Sequence, residues 1–455
     1  MKNLVILMLV LFGSLSLSNV YAQFTKPKTP VFNPKVKTIN PKLDKSVLNN
    51  PNLELKEIQT KMEPEENVPN SFIVFFNPKA VPAFYDAYPE DKFESREELL
   101  KAYQGFEKKA TNQIMEIAEG KMGLKSSQIK QVYTGIISGF AVEMSEGQAK
   151  EFSERARQSE LVKSFGRDIY MNFDAVSPAP EMIVSSPMPA QNVNWGVEFV
   201  GSRDGFRLVN WAFVLDTGID FDHPDLRVSR SWSRNYVSGE GSDDLHGHGT
   251  HVAGIIAAKD NNIGTKGVAA GAVVVAVKVL NRRGKGKWSE ILSGVNYAGS
   301  VAWRGDVLNL SLGGSAPNWW QSFWGDTRND VENALKRIGQ RGRYVTIAAG
   351  NDAKNANDYS PARANGQNIY TISNMRSDRR LANSSNYGNG PVDYAAPGSS
   401  IYSTYKDGRY ATMGGTSMAA PHVAGILLIN RGRINTRGRL VWDRDSTKDP
   451  IAVIR

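Results

Sequence analysis

No cysteine occurs in this chain. That absence removes a disulfide-stapled scaffold, a cysteine nucleophile, a zinc–thiolate site and a lipidated-cysteine anchor together. Histidine is scarce, five in 455 residues, so any cluster of imidazoles is informative. Long apolar runs are missing too: beyond Leu4 to Phe12 no segment approaches the roughly 20 residues a membrane helix needs. No internal repeat is visible. What is present can fold, because 41% hydrophobic and 9% aromatic residues exclude a wholly disordered chain. At roughly 150 residues per domain the length implies two to three domains. Lys and Arg outnumber Asp and Glu by 55 to 46, and residues 191–455 hold 32 against 23, so the +9 excess lies entirely there. Charge alone does not say whether it meets nucleic acid, a membrane surface or an acidic substrate.

Residues 1–22 read as a secretory signal: Lys2, the apolar run ending at Phe12, then Val20-Tyr21-Ala22 as a small-residue cleavage pattern. Residues 23–70 are rich in proline, lysine and asparagine and read as a linker. Between 71 and 173 the pattern predicts a small α+β unit. Strands are expected at Ser71 to Phe76, Gln131 to Tyr133, Gly139 to Met144 and around Leu161 to Ser164, with helices over Arg96 to Gly120 and Glu146 to Ala156. Residues 174–190 carry four prolines and read as a second linker. From 191 to 455 strand-then-helix alternation predicts a parallel sheet covered by helices. Buried strands are expected at Trp211 to Leu215, Val273 to Leu280, Val307 to Leu312 and Tyr344 to Ala348, and helices near 249–258, 289–303 and 330–340.

Three segments carry chemistry. In W-A-F-V-L-D-T-G-I-D a buried strand runs into Asp216, a position where α/β sheets gather reactive groups, although Asp-Thr-Gly is also good turn chemistry. H-G-H-G-T-H-V-A-G concentrates His246, His248 and His251 at a glycine-rich helix start. It offers either a general base at His248 or a site of three imidazoles, but lacks the H-E-x-x-H of zinc hydrolases; His251 reads as a packed helix residue. In G-G-T-S-M-A-A-P-H-V-A-G, Ser417 stands at a helix start, where N–H groups favour a developing anion, or serves as an ordinary cap. Pro421 reads as a first-turn proline.

The order Asp216, His248, Ser417 is the Asp-His-Ser order that subtilisin exemplifies. With D-T-G-I-D, H-G-T-H-V-A-G, G-T-S-M-A-A-P-H, S-L-G-G, A-A-G-N and A-A-P-G in family order, the chain resembles the subtilases, subtilisin-like serine endopeptidases, over about 191–430. The resemblance implies an α/β fold with a mainly parallel sheet covered by helices, preceded by a small α+β prodomain that inhibits intramolecularly and is removed in the linker, within 175–190. It implies a secreted zymogen acting on polypeptide substrates, with Ser417 as nucleophile, His248 as base, Asp216 as its orienter and Asn351 as oxyanion donor. The backbone of Ser311, Leu312, Gly313 and Gly314 would pair with an extended substrate. A structural calcium ion is implied at Gln191, Asp225 and the loop 259–265, through Lys259, Asn261, Ile263 and Thr265; the same loop is also ordinary helix-ending turn chemistry. No organic cofactor, nucleic-acid partner or stable membrane anchor is expected. An imidazole base predicts activity rising through about pH 6–8.

The end of the chain departs from the family: R-G-R-I-N-T-R-G-R-L-V-W-D-R-D is basic and has no evident closing helix. The Trp-rich A-P-N-W-W-Q-S-F-W-G-D after Ser315 is a subsite wall or a core-facing loop, and Arg282 to Lys287 reads as a solvated basic loop. The rival functions are a silent binding protein on the same scaffold, which a peptidase-dead but folded domain would reveal, and a histidine-metal hydrolase, which a chelator would inhibit.

Overall fold

The strand run Ser71 to Phe76 is apolar at nearly every position, and its alternate side chains face two different cores. A computed structural model describes residues 67–88, 93–172, 182–184, 189–315 and 327–455. The segment expected to be a signal, most of both expected linkers and the Trp-rich insert lie outside the described residues.

The N-terminal unit contains β1 (Asn67–Phe76), α1 (Arg96–Gly120), β2 (Ile129–Tyr133), β3 (Gly139–Glu143), α2 (Glu146–Arg157) and β4 (Val162–Asn172). β1 starts four residues earlier than the sequence pattern implied, inside the first linker. Ser95 accepts a hydrogen bond from Glu98 N–H at the start of α1, and Ser145 with Gln148 forms a reciprocal capping box at α2. Phe72, Val74 and Phe76 point to the unit's own core with Ile114, Phe140, Phe152 and Phe165. Ile73 and Phe75 point the other way.

The second unit follows β5 (Met182–Val184): β6 (Ala212–Asp216), β7 (Arg234–Asn235), α3 (His248–Ala257), β8 (Val274–Lys278), β9 (Lys285–Lys287), α4 (Trp288–Val301), β10 (Val307–Leu310), α5 (Thr327–Gln340), β11 (Tyr344–Ala348), β12 (Ile369–Met375), β13 (Tyr394–Pro397), β14 (Ile401–Tyr405), β15 (Arg409–Met413), α6 (Thr416–Ile429), β16 (Asn435–Arg439) and β17 (Pro450–Val453). Nine strands form the main sheet in the order β16-β17-β13-β12-β11-β10-β6-β8-β7, parallel except for β16. Both faces are covered. Phe213 and Leu215 of β6, with Val275 and Val277 of β8, pack under α4 and α5; Ala212, Val214, Val274 and Ala276 pack under α3 and α6.

α4 is buried along its whole length because the sheet takes one side and the N-terminal unit the other. Ile73, Phe75, Tyr103 and Tyr133 join the core that contains Trp288, Ile291 and Tyr297. The five-stranded sheet of the N-terminal unit, ordered β9-β4-β1-β3-β2, takes β9 from the second unit as its edge.

One expectation changes here and one holds. The second linker is not featureless: Met182–Val184 pairs antiparallel with Tyr410–Thr412 of β15, and Ala190 bridges to Ile263. The basic end of the chain closes the fold without a helix, as a β16–β17 hairpin whose inner strand pairs parallel with β13. Ile451, Ala452 and Val453 are fully buried there. P-I-A-V is a continuous apolar run buried on both faces, with Ile451 in one core and Ala452 in another.

Candidate active site

β6 is apolar and buried until Asp216, whose carboxylate sits at the strand's carboxyl end. His248 is the first residue of α3, and its Nδ1 lies 2.8 and 2.9 Å from the two carboxylate oxygens of Asp216. Both side chains are fully buried. Thr217 N–H also donates to Asp216 Oδ1, at 2.7 Å. A carboxylate placed this way holds the imidazole in the tautomer with its proton on Nδ1.

The helix start that presents His248 is built from glycine and from Asp244. Gly247 has φ +109°, and a Cβ there would lie 2.2 Å from the Tyr405 ring. Asp244 Oδ1 accepts from the N–H groups of His246 and Gly247 and from the Thr217 hydroxyl. Its Oδ2 accepts from the N–H and hydroxyl of Thr250. Asp244 thus caps α3 and ties it to the turn after Asp216. Sequence reading passed over it because an Asp-Asp pair in a loop carries no periodic signal; its spacing before H-G-H-G-T was the available clue.

The three histidines of this run part company. His246 is held below the usual imidazole range by burial first and by neighbouring His248 second. His251 donates from Nε2 to the carbonyls of Ile401 and Ala411 at 3.0 and 3.1 Å, and burial pushes it down to about 3. It is a packing residue, as expected from the sequence.

Ser417 is the second residue of α6, after Gly415 at φ +135°. β10 and β6 pair with Asn309 opposite Val214, so Ser311 and Asp216, each two residues on, stand level at the same end of the sheet. Ser417 Oγ donates to the carbonyl of Ser311 at 3.3 Å, and the Ser311 hydroxyl donates to the carbonyl of Ser417 at 2.8 Å. Asn351 follows β11 at the same end. Its Oδ1 accepts from the N–H and hydroxyl of Thr416 at 2.9 and 3.2 Å. That use of Oδ1 orients the amide, leaving its NH₂ as the donating end. Leu312, Gly313, Gly314, Ala348 to Asn351, Tyr359, Ala362 and Ser417 line one shallow cleft. Gly314 is also paired with Ser360 in a short antiparallel ladder, so one of its edges is taken.

Pro421 differs from expectation. It occupies the sixth position of α6, in the second turn, where its missing N–H deprives the carbonyl of Ser417 of its helical donor.

The residues expected around calcium do gather. The Gln191 side-chain amide lies 3.2 and 3.3 Å from the carbonyls of Lys259 and Thr265. Asp225 Oδ2 accepts from Thr265 N–H at 3.1 Å, while Asp225 Oδ1 and Thr265 Oγ1 are buried with no hydrogen-bond partner among the described residues. Burial pushes the Asp225 carboxyl up to about 6, opposed by the Thr265 N–H, Asn261 and Tyr410. Asn261 Oδ1 accepts from Ile263 N–H at 3.2 Å, the local turn bond, and Lys259 turns its ammonium to the Pro224 carbonyl. An orphaned carboxylate oxygen among carbonyls and an amide that can present its oxygen suits a hard cation. Among the described residues no group of three His, Asp or Glu side chains is disposed to hold a metal, so such a site would depend on main-chain and amide oxygens.

A family model described as the subtilase family matches residues 213–445. "Subtilisin-like protease 5" of Arthroderma otae is 37% identical over 263 residues, 54% of this chain and 62% of its own length. "Thermostable alkaline protease" of Halalkalibacterium halodurans is 35% identical over 272 residues, 58% of this chain and 68% of its own. "Intracellular serine protease" of Paenibacillus polymyxa is 36% identical over 242 residues, 52% of this chain and 69% of its own. The chain therefore spans only 62% of the length of the Arthroderma relative. No helix among the described residues is long and apolar enough to cross a membrane.

Proposed function

This chain belongs to the subtilase family, and on that premise we propose that it is a serine endopeptidase, exported and made as a zymogen, which cleaves peptide bonds through an acyl-enzyme. The observation that carries the reading is the doubly contacted Asp216–His248 pair at the same sheet end as the Ser417–Asn351 cleft.

In this mechanism His248 Nε2 takes the Ser417 proton as Oγ attacks the substrate carbonyl carbon, and the carbonyl π pair moves to oxygen. Asn351 NH₂ and the Ser417 N–H stabilise that oxyanion. The C–N bond then breaks as His248 returns the proton to the leaving amine. Water, deprotonated by the same imidazole, releases the acyl group and restores Ser417. Asp216 stays ionised throughout and stabilises the imidazolium. For attack, the Ser417 hydroxyl must leave the Ser311 carbonyl that it faces here.

The zymogen reading is supported by the packing of residues 67–172 against α4 and α5, and by β4 extending the inhibitor-like sheet onto β9 before the chain enters the second linker. Removal of residues 1–22 and cleavage within 175–190 rest on sequence pattern. Gln191, Asp225, Lys259, Asn261, Ile263 and Thr265 would hold a structural calcium ion, which would neutralise the buried Asp225 carboxylate and pin the start of the mature enzyme.

The test is hydrolysis of an unstructured polypeptide by wild type and by Ser417→Ala, with intact masses measured on both. The proposal predicts wild-type cleavage and an N-terminus near Gln191, with the variant inactive and still joined to its N-terminal unit. Equal cleavage by both proteins would overturn it.

A further inference from the structure

Buried strands in the middle of a sheet normally carry apolar side chains, yet β10 and β11 hold Asn309 and Thr346 at a cross-strand pair, both fully buried. Burying such groups is costly unless each hydrogen bond is made. All are made, in a line. The Thr346 hydroxyl donates to Asn309 Oδ1 at 2.9 Å, Asn309 Nδ2 donates to Ser311 Oγ at 2.9 Å, and Ser311 Oγ donates to the Ser417 carbonyl at 2.8 Å. The line ends on the one carbonyl of α6 that Pro421, four residues on, leaves without its helical donor.

We propose that Ser311 is a positioning residue for Ser417: its hydroxyl replaces the helical hydrogen bond that Pro421 forbids and so fixes the first turn of α6 against Asn351. This rests on the reading of Ser417 as nucleophile. The adjacent residue is anchored independently, since Thr416 N–H and its hydroxyl bond to Asn351 and Gly350 N–H bonds to the Thr416 hydroxyl. The segments that follow β10 and β11 thereby grip the adjacent residues Ser417 and Thr416, and Ser417 must present both its N–H and its hydroxyl to the same substrate carbonyl. Without the Ser311 hydroxyl, the Ser417 carbonyl becomes a buried acceptor lacking a donor, and the helix start relieves it by shifting. A displacement of that kind reduces turnover more than binding.

The arrangement makes a specific demand. Pro421→Ala returns an N–H to the position that can bond the Ser417 carbonyl, so it makes the Ser311 hydroxyl redundant. The test is a double-substitution cycle in the whole chain: wild type, Ser311→Ala, Pro421→Ala and both together, with kcat, KM, reactive sites titrated by an organophosphonate, and thermal unfolding. Ser311→Ala is expected to lower kcat roughly ten- to a hundredfold with KM changed by less than about threefold. In the Pro421→Ala background the same loss of hydroxyl is expected to cost less than about threefold. Ser311→Cys, which keeps the volume with a weaker donor, is expected to fall between wild type and Ser311→Ala and serves if the alanine variant does not fold. An equal loss of kcat from Ser311→Ala in both backgrounds would overturn the proposal, as would a loss confined to KM. A wild-type chain that neither cleaves peptide nor takes the phosphonate overturns the serine-peptidase reading instead.

Discussion

Asp216 stands behind His248 and Asn351 beside the proposed nucleophile Ser417, and each is tied by contacts that make its removal readable. Asp216→Asn keeps the packing around His248 but offers an N–H to Nδ1 in place of an acceptor, which favours the wrong tautomer. Turnover is expected to fall about 10⁴-fold with little change in melting temperature, measured by kcat and scanning calorimetry. Asn351→Ala is expected to cost about 10²–10³ in kcat through the lost oxyanion donor, and somewhat more because Thr416 N–H loses its acceptor. The gathering of Asp216, His248, Ser417 and Asn351 at one end of the sheet was legible because each sits in a short motif whose neighbours fix a backbone shape. Asp244 was not, because its partners are N–H groups that only the folded turn points inward. Pro421 was misplaced by one turn for a related reason: where α6 starts is set by Gly415 and Thr416 docking on Asn351, which no propensity encodes.

At the scale of elements, α3 depends on a glycine start and the main sheet on its C-terminal hairpin. Gly247→Ala would force a Cβ into the Tyr405 ring at a φ of +109°, so it is expected to destabilise the chain by at least about 1–3 kcal/mol and to lower activity with it, as denaturant unfolding would show. The hairpin brings Asp449 into the protein, where the Ser373 hydroxyl donates to it at 2.6 Å. Burial pushes its carboxyl up to about 8, Ser373 opposes, and Asp443, Asp445 and Asp393 push further. An unfolded aspartate titrates near 3.9, so the folded chain keeps this proton longer. Stability from that source is present at low pH and is lost as pH rises from about 4 through about 8. Asp449→Asn is therefore expected to raise the melting temperature at pH 9 and to change it little at pH 4. A gain that is larger at pH 4 would contradict the sign. The central strands were readable as short continuous apolar runs, because helices cover both faces of the sheet, and α1 was readable from its three-to-four spacing, because one face of it meets a core. The hairpin was not, because Arg437 and Arg439 mask a strand whose only apolar partner, β17, lies beyond a charged turn.

For the whole molecule, the absence of cysteine leaves packing, ion pairs and hydrogen bonds to hold the N-terminal unit on the rest. Arg96 makes a two-pronged pair with Asp306, 2.6 and 2.5 Å, and Asp168 is fully buried where Ser71 and Ser289 donate to it. Asp168 also stands before the start of α4, whose N–H groups favour its charge, although burial raises its carboxyl above the usual range against the Ser289 bonds. In the Ser417→Ala chain, Asp168→Ala is expected to lower the melting temperature and to speed proteolysis in the second linker, because Ser289 N–H and its hydroxyl are left without their acceptor. Unchanged resistance to an added protease would argue that the shared apolar core alone holds the units. A balanced composition in residues 1–190 hid these contacts, since the pairs cross between segments far apart in sequence.

The central claim is that Ser417, served by His248 and Asp216, is a nucleophile toward peptide carbonyls. Its most direct measurement is peptide mapping by mass spectrometry after treatment of the purified chain with an organophosphonate. One adduct is expected, on Ser417, formed by wild type, strongly slowed in Asp216→Asn and absent in Ser417→Ala. A folded, peptide-cleaving chain that carries no adduct on Ser417, or carries it on another residue, would contradict it.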